Sequence, residues 1–417
     1  MRKNLTLTIL TALTVTATAC TASDRSDPVT IGAIYPVSGR QGPGGVDEAN
    51  GARLAVDLAN ERGGVNGRPV ELDLVDVDSG DQAAAALREL RQRDVDLVLG
   101  SYGSTISAPA AVAARRSGML LWETGAVGEI GPDAGAGESF FRLAPMGAAL
   151  GRAAVTFVRE QLVPLLEPGA PLRYAVAYVD DAYGRSVGLG AAAEAKASGE
   201  QLVGTFPYDV HHLDSEALVR SIAVSRPDVL FVSAYLQDGV AIRQATIAQG
   251  LPLRASIGTS SSYCMPAFAA ALGPGAVGLF ASDKPDAARV RPDALDASAR
   301  KALAWAQKRF SDRHREEMSP AALSGFANAW ALLGHILPAS PGLRPPEVAS
   351  TARSLKLPSG SLPNGAGLDL AGPRELDAGE NRAAVSVIWQ WVDQRTQAVV
   401  WPPTFATQPL RAIPILP

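Results

Sequence analysis

The loop Gly100–Thr105 combines residue types that can bind an anion. It reads Gly-Ser-Tyr-Gly-Ser-Thr, follows an apolar run and precedes a predicted helix that carries Pro109 in its first turn, where proline is tolerated. Ser104 or Thr105 is a suitable N-cap for that helix. Unpaired amides at a helix N-terminus attract negative charge. The loop, with Tyr102 at its centre, therefore predicts a carboxylate site, and a plain N-cap serine without a ligand is the alternative.

Two tyrosines follow predicted strands in the second half of the chain. Tyr183 comes after the strand 174–179, and Tyr235 comes after the strand 228–233. Ligands in open α/β sheets bind at the carboxyl ends of strands. There a ring can cover a ligand while its hydroxyl finds a polar partner. We expect both tyrosines in the site, and a surface tyrosine packed on its own loop is the alternative for each.

Two glycine-containing motifs match patterns of catalytic or cofactor sites, but the predicted strands and helices around them are not those that such sites need. Gly184–Gly188 matches G-x-S-x-G, but a nucleophile elbow needs a strand that runs directly into the turn, and here we expect an intervening loop. A secreted serine hydrolase that uses Ser186 is therefore a remote alternative. Gly273–Gly278 matches G-x-G-x-x-G but precedes a strand, the reverse of a dinucleotide site. The scattered histidines show no metal-ligand spacing, so we expect no metal and no cofactor.

Strands and helices alternate along the chain, which predicts an α/β fold with parallel sheets. The strand 29–34, an amphipathic helix ended by Gly63 and Gly64, and the strand 70–74 form the first βαβ unit. A second α/β series lies between extended crossings at 141–145 and 277–282. The helices that follow are predicted at 297–314 and 320–336, back in the first lobe.

Composition predicts an exported protein with two lobes. A chain of 417 residues is too long for a single core. The net charge of −4 without a basic patch argues against a nucleic-acid partner. Apart from Cys20 the chain has only Cys264, so we expect no disulfide inside the folded domain.

The N-terminal segment has the features of a signal peptide. A basic start is followed by the mildly apolar stretch Leu5–Thr18, which is too short to span a bilayer. Ala-Thr-Ala precedes Cys20, and this setting resembles the cleavage box of bacterial lipoproteins, whose cysteine is acylated. We expect a signal peptide at 1–19, lipidation of Cys20 and a tether at 20–27. An ordinary signal peptide with an incidental cysteine is the alternative.

Several segments, in their order and spacing, resemble one protein family. They are Ile31–Gly39, Gly51–Val56, Gly63–Val70, Gly100–Ala110, Asp180–Gly184, Ile242–Ala245, Gln249–Leu251 and Val399–Pro402. The chain resembles the type I extracytoplasmic solute-binding proteins, the leucine/isoleucine/valine-binding group that supplies ABC importers. The resemblance implies two Rossmann-like lobes joined by three hinge crossings. We expect an N-terminal lobe at 28–144 and 283–360, a C-terminal lobe at 145–282 and 361–401, and a Pro-rich tail at 402–417.

The resemblance also implies roles for individual residues. Ser104 occupies the serine position of the segment that binds the ligand carboxylate in this family. Gly125 takes the position of a backbone carbonyl that contacts the ligand, and Val127 stands where a threonine is usual. Ser260 replaces the acid that pairs with the ligand ammonium in amino-acid-binding relatives.

The replaced acid favours ligands without an ammonium group. A buried ion without a partner costs several kcal/mol, and Ser260 offers no charge. We therefore expect a carboxylate, an amide or another uncharged-amine solute rather than a simple zwitterion. Glu123 or Asp238 could hold an ammonium from another direction. Next to its loop, Glu123 is expected to be a solvated carboxylate.

These observations together predict a lipid-anchored, monomeric binding protein rather than an enzyme. It would capture a small polar organic solute, amino-acid-like, carboxylate or amide, by hinge closure and deliver it to ABC permease subunits. Its contact with the membrane would be through the lipid anchor alone. The alternative is a ligand-sensing receptor of the same fold that passes occupancy to a signalling partner.

Overall fold

The computed structural model describes residues 27–166, 172–259, 261–375 and 377–417. The predicted signal peptide, Cys20, nearly all of the tether and Ser260 lie outside the described residues. Among those described, no helix has the length and apolar character needed to cross a membrane.

Twelve strands and twelve helices are named among the described residues. The strands are β1 (Val29–Tyr35), β2 (Val70–Asp76), β3 (Leu97–Gly100), β4 (Leu120–Glu123), β5 (Phe140–Arg142), β6 (Arg173–Val179), β7 (Gln201–Tyr208), β8 (Val229–Ser233), β9 (Ala255–Thr259), β10 (Phe280–Asp283), β11 (Val387–Trp391) and β12 (Gln397–Trp401). The helices are α1 (Gly42–Glu61), α2 (Gly80–Gln92), α3 (Ser104–Arg116), α4 (Gly147–Phe157), α5 (Ala182–Ala197), α6 (Ser215–Val224), α7 (Leu236–Ala248), α8 (Pro266–Leu272), α9 (Ala297–His314), α10 (Pro320–Trp330), α11 (Leu337–Ala339) and α12 (Pro345–Ser354).

The first lobe is built on a five-stranded parallel sheet. Its strand order is β2-β1-β3-β4-β5. Apolar side chains such as Ile31, Leu99 and Trp122 are buried in one core with residues of α1 and α10. A Cβ on Gly51 would lie 1.9 Å from the Ala322 carbonyl oxygen, so glycine allows α1 and α10 to pack closely. The helices predicted at 297–314 and 320–336 thus belong to the first lobe.

The second lobe is built on a seven-stranded mixed sheet. Its order is β12-β11-β10-β9-β8-β6-β7, parallel except that β11 pairs antiparallel with both β10 and β12. The second predicted crossing, 277–282, is partly wrong, because Phe280–Asp283 is a strand of this sheet. The chain therefore leaves the second lobe only after Asp283, which brings the next residues to the cleft.

The two-lobed α/β fold is confirmed, whereas the residue limits of the lobes remain predictions.

Near the interlobe region, Arg142 at the end of β5 pairs with Glu380 at 3.0 Å. Leu362 to Leu370 contribute side chains to the core of the first lobe, which favours a third crossing later than residue 361.

Two helices begin earlier than the sequence pattern predicts, which is at Ser186 for one and at Ile106 for the other. Helix α5 begins at Ala182 because the Asp181 carboxylate accepts a hydrogen bond from the Gly184 amide and caps it. Helix α3 begins at Ser104 and includes both residues proposed as its cap. Tyr183 and Ser104 therefore lie in first helical turns, which fixes the direction of their side chains.

A candidate ligand-binding cleft between the lobes

Both lobes line a cleft of about 760 Å³ that is partly open to solvent. The first lobe contributes the start of α1, the loop between β3 and α3, the loop after β4 and the start of α10. The second lobe contributes the starts of α5 and α7, the segment after β9 and the residues that end β10. The lining residues are Gln41, Gly44, Asp47, Tyr102, Gly103, Ser104, Gly125, Val127, Tyr183, Tyr235, Ser261, Cys264, Met265, Pro266, Asp283, Lys284, Ser319, Pro320 and Ala321.

Ser104 lines the cleft but does not cap α3. Gly103 is the N-cap and supplies no side-chain hydrogen bond, so the predicted N-cap role is wrong. The Ser104 hydroxyl oxygen instead accepts hydrogen bonds from the amides of Val127 at 3.3 Å and Gly128 at 2.8 Å. As residues of the first turn, Ser104 and Thr105 have amides without an intrahelical acceptor. The N-terminus of α3 thus brings unpaired donors to the cleft.

Thr105 does not line the cleft. Its hydroxyl oxygen accepts a hydrogen bond from the Gln41 side-chain amide at 3.1 Å. The Thr105 side chain is thus an internal support for the start of α1 rather than a ligand contact.

Tyr102 adopts an uncommon backbone conformation just before the N-terminal end of α3. Its φ is +68°, a region that non-glycine residues rarely occupy. A Cβ on Gly44 would lie 2.1 Å from the Tyr102 hydroxyl, so glycine makes room for this ring. Burial is the main cause that raises the pKa of Tyr102, and a hydrogen bond to Ser261 of the opposite lobe acts against it. Tyr102 therefore connects the two walls of the cleft.

The 125–128 loop, Gly125 to Gly128, has its polar backbone held by side chains. Lys284 Nζ donates to the Gly125 carbonyl at 3.1 Å, and the Ser186 hydroxyl donates to the Val127 carbonyl at 3.3 Å. Arg142 donates to the Gly128 carbonyl. The carbonyl of Gly125, predicted to contact the ligand, is thus already bound to Lys284 in this structure. The Val127 side chain is buried and lines the cleft.

Glu123 is fully buried, so its predicted role as a solvated carboxylate is wrong. One oxygen accepts hydrogen bonds from the amides of Ser101, Gly125 and Ala126 at 2.7–3.0 Å. The other accepts from the hydroxyls of Ser107 at 2.5 Å and Ser101 at 3.2 Å. Glu123 therefore connects the loop before α3 to the 125–128 loop, and both of its carboxylate oxygens accept hydrogen bonds within the first lobe.

Glu48 lies on the other side of the same loop. A Cβ on Gly125 would meet the Glu48 carboxylate at 1.9 Å. One oxygen accepts a hydrogen bond from the Thr124 hydroxyl at 2.6 Å, whereas the other is buried without a hydrogen-bond partner among the described residues. Burial raises the pKa of Glu48 to about 8, against the opposing effect of the Lys284 ammonium. Burial thus favours the neutral form of Glu48 behind the cleft wall, and the positive charge of Lys284 opposes this.

The cleft contains acids that the sequence reasoning missed. Asp47 lines it from α1 and accepts a hydrogen bond from the Ser319 hydroxyl at 2.6 Å. Asp283 lines it from the end of β10 and is buried, as is Cys264, which lines the same cleft. An assignment of Phe280–Asp283 as a strand would have pointed to Asp283 and Lys284, because strand ends carry ligand sites.

Tyr183 and Tyr235 line the cleft side by side, with ring centroids 5.4 Å apart. The Tyr183 hydroxyl is hydrogen-bonded to the Thr259 hydroxyl at 2.5 Å. The Tyr235 hydroxyl donates to the Asp181 carboxylate at 2.7 Å. Both hydroxyls are thus oriented by neighbours, and the rings form an aromatic wall.

Ser186 is placed as a structural residue. It lies inside α5 rather than at a strand-to-helix turn, and its hydroxyl bonds to the Val127 carbonyl. No histidine is among the residues that line the cleft. Ser186 is thus not in the strand-to-helix turn of a nucleophile elbow.

Comparisons with known proteins agree with this architecture. The family model described as periplasmic binding protein matches residues 28–388. The chain is 26% identical over 404 residues to the Leu/Ile/Val-binding protein homolog 8 of Brucella suis biovar 1 (strain 1330), with 96% of each chain covered.

Two solved structures with different ligands share the fold. One is the branched-chain amino acid substrate-binding protein of Streptococcus pneumoniae in complex with isoleucine, with a TM-score of 0.70, 19% identity, and coverage of 90% of this chain and 100% of that one. The other is an ABC-transporter solute-binding protein of R. palustris in complex with benzoate, with a TM-score of 0.70, 16% identity, and coverage of 93% and 99%.

Proposed function

The chain belongs to the periplasmic binding protein family, and from this premise we propose that it captures a small organic carboxylate in the interlobe cleft and delivers it to an ABC importer. Membership of this family agrees with the prediction of a binding protein rather than an enzyme.

The observation that carries the ligand class is a convergence of donors in the cleft. The N-terminus of α3 presents the amide of Ser104 to the cleft with the positive end of the helix dipole. The Lys284 ammonium lines the same cleft and is bound to the loop that Ser104 supports. An anion between these groups gains hydrogen bonds and charge complementarity together.

Acidic side chains leave room for ligands that also carry an ammonium. Asp47 and Asp283 line the cleft from opposite lobes, so the cleft as a whole is not short of negative charge even though residue 260 is a serine. The shared requirement is then the carboxylate. Isoleucine and benzoate, the ligands in the two solved structures, both carry a carboxylate.

Closure of the lobes follows from the position of the cleft. Tyr102 of the first lobe and Ser261 of the second line the same cleft, as do other residues of both lobes. A ligand that contacts both walls stabilises the closed form by its differential affinity. Saturation with a binding carboxylate should therefore reduce the radius of gyration in small-angle scattering.

A matched ligand panel tests the proposed ligand class. Leucine, isoleucine, benzoate and 4-hydroxybenzoate would be titrated by calorimetry beside leucinamide and benzamide, which lack the carboxylate. We expect at least one carboxylate to bind and its amide to bind at least tenfold more weakly. Lys284→Met should weaken the binding of the carboxylate ligand. Lys308→Met, at an exposed position of α9, should leave that affinity unchanged. Equal affinity for acid and amide, or no binding of any carboxylate, would contradict the proposal.

We also propose that the chain is anchored through an acylated Cys20. A lipoprotein anchor with several acyl chains holds firmly, whereas one chain holds only marginally. Cys20→Ser should release the protein from membranes or leave the precursor uncut. The matched control is Cys264→Ser, at the only other cysteine. Unchanged processing and membrane fractionation of Cys20→Ser would favour an ordinary signal peptide.

A further inference from the structure

The cleft continues into a second space, here called the distal chamber, of about 520 Å³ and partly open to solvent. It shares Tyr102, Tyr235 and Gln41 with the main cavity and ends at Asp238 and Arg40, which the main cavity does not reach. Ser104 and Lys284, the proposed carboxylate site, line only the main cavity. The two spaces therefore offer different chemistry to the two ends of one ligand.

Asp238 lines the distal chamber, and one of its carboxylate oxygens accepts no hydrogen bond from the described residues. The residue is 4% exposed. One carboxylate oxygen, Oδ2, accepts hydrogen bonds from the Tyr208 hydroxyl at 2.5 Å and the Tyr235 amide at 3.1 Å. The other, Oδ1, is buried and has no hydrogen-bond partner among the described residues. Buried polar atoms are nearly always paired, and the capping of α7 by Oδ2 does not account for Oδ1.

A second acceptor lies nearby on the opposite wall. The Gln41 side-chain amide donates its NH₂ to Thr105, which turns its oxygen, Oε1, the other way. Oε1 is buried without a hydrogen-bond partner among the described residues. A Cβ on Gly103 would lie 2.0 Å from this oxygen, so it lies against the cleft lining. Both walls of the distal chamber thus present acceptors that lack donors.

We propose that the ligand carries, at the end remote from its carboxylate, an N–H donor that bonds to Asp238 Oδ1. A primary amide or an amine fits this description. Arg40 faces Asp238 from the first lobe and partly offsets its charge, so the donor need not be cationic. The inference rests on the proposed function and narrows it, because a leucine-type side chain would leave both acceptors unpaired.

Pairs of ligands with the same shape test the inference in the unaltered protein. Leucine and asparagine, homoleucine and glutamine, and 4-methylbenzoate and 4-aminobenzoate differ mainly in whether the distal group is methyl-bearing or carries N–H. A site built around a hydrogen bond rejects the analogue that lacks it. We expect the N–H member of at least one pair to bind at least tenfold more tightly in calorimetric titrations.

Asp238→Asn assigns the preference to this residue. Its amide oxygen can keep the hydrogen bonds from Tyr208 and Tyr235, which leaves the NH₂ facing the chamber. The NH₂ of the asparagine would then face the N–H group of the ligand, and two donors cannot bond to each other. The affinity ratio within each pair should therefore fall to about one or reverse, while the methyl-bearing member keeps its affinity. Asp214→Asn is the control, because Asp214 also caps a helix with its carboxylate, as the N-cap of α6, and does not line the cleft. Melting temperatures would be recorded for both variants.

The outcomes separate this inference from the proposed function. If carboxylates bind but no pair shows the preference, the inference is overturned and the proposed function stands. A preference that persists in Asp238→Asn likewise overturns it. If no carboxylate binds at all, the proposed function fails and the inference falls with it.

Discussion

The 125–128 loop of the first-lobe wall and the second-lobe wall around Asp238 differ in how completely their polar groups are paired among the described residues. On the first-lobe wall, Glu123, Ser104 and Arg142 hold the amides and carbonyls of the 125–128 loop. On the second-lobe wall, the hydroxyls of Tyr183 and Tyr235 are oriented, but Asp238 keeps an unpaired oxygen.

This difference indicates a division of labour in binding. A wall whose loops are fixed before the ligand arrives needs little reorganisation, and preorganisation increases affinity. A wall with an unpaired buried acceptor is stabilised when a ligand supplies the donor. We infer that the first wall fixes where the carboxylate lies and that the second wall selects what the rest of the ligand carries.

The largest expected effect is from Glu123→Ala, which removes the carboxylate that holds the 125–128 loop of the first-lobe wall. Three amides and the hydroxyl of Ser107 would lose their acceptor, and each unpaired buried group costs about 1–3 kcal/mol. We expect the free energy of unfolding to fall by about 4 kcal/mol after partial relaxation. Chemical denaturation followed by circular dichroism measures this loss.

The control for this variant is Glu138→Ala, which removes an exposed glutamate. Its effect should stay within about 0.5 kcal/mol. A Glu123→Ala protein as stable as this control would show that the hydrogen bonds of Glu123 do not fix the first wall.

The next effect is a pH dependence from Glu48, the incompletely paired acid behind the first wall. Its ordinary pKa is 4.5, and burial raises it to about 8 in the folded protein. Between these values the folded state binds more protons than the unfolded state. Stability should therefore fall as the pH rises through this window, by about 2 kcal/mol between pH 6 and 8, where the slope is at most about 1.4 kcal/mol per pH unit. Glu48→Gln should flatten the profile in denaturation series.

Asp286 provides the internal control for that profile. Burial raises its pKa from 3.8 to about 6, with Arg289 opposing, so Asp286→Asn should flatten the profile only below about pH 6. If Glu48→Gln leaves the slope between pH 6 and 8 unchanged, Glu48 is not the group that titrates there.

The fold could be predicted from the sequence because its signals are local. Alternating strands and amphipathic helices predict the α/β lobes, and the helix at 297–314 agrees with α9. Phe280–Asp283 was mistaken for part of a crossing because a short buried strand and an extended linker have the same pattern. Asp181 as a cap could have placed the start of α5 earlier, since aspartate before a helix favours that role.

The site could be predicted only where it follows strand ends. Tyr102, Ser104, Gly125, Val127, Tyr183 and Tyr235 all line the cleft, although their individual contacts with a ligand stay predictions. Asp47, Asp283 and Lys284 were missed because their place depends on how the lobes pack. Glu123 was misread because its donors come from Ser101 and Ser107, which only the fold brings near.

A smaller effect is expected for Ser104→Ala. The hydroxyl aligns Val127 and Gly128 beside the amides that would hold the carboxylate. Its loss should weaken binding of a carboxylate by roughly 1.5 kcal/mol, about tenfold. Ser221→Ala is the control, because its exposed hydroxyl bonds to the Ala217 carbonyl on α6 and does not line the cleft. Equal affinities of the two variants in calorimetry would place the carboxylate elsewhere.

The smallest expected effect is from Tyr235→Phe, which tests the second wall. The ring stays beside Tyr183 and keeps its apolar area, whereas the hydrogen bond to Asp181 is lost. A hydrogen bond to a charged group is worth about 1.5–3 kcal/mol when buried, but Asp181 keeps its capping bond to Gly184 and can be solvated. We therefore expect unfolding to become easier by about 1 kcal/mol and carboxylate affinity to change less than threefold. Tyr235→Ala, which also removes the ring, should weaken binding well beyond Tyr235→Phe. If the two substitutions weaken binding equally, the hydroxyl rather than the aromatic face contacts the ligand, and both walls would then act through polar groups.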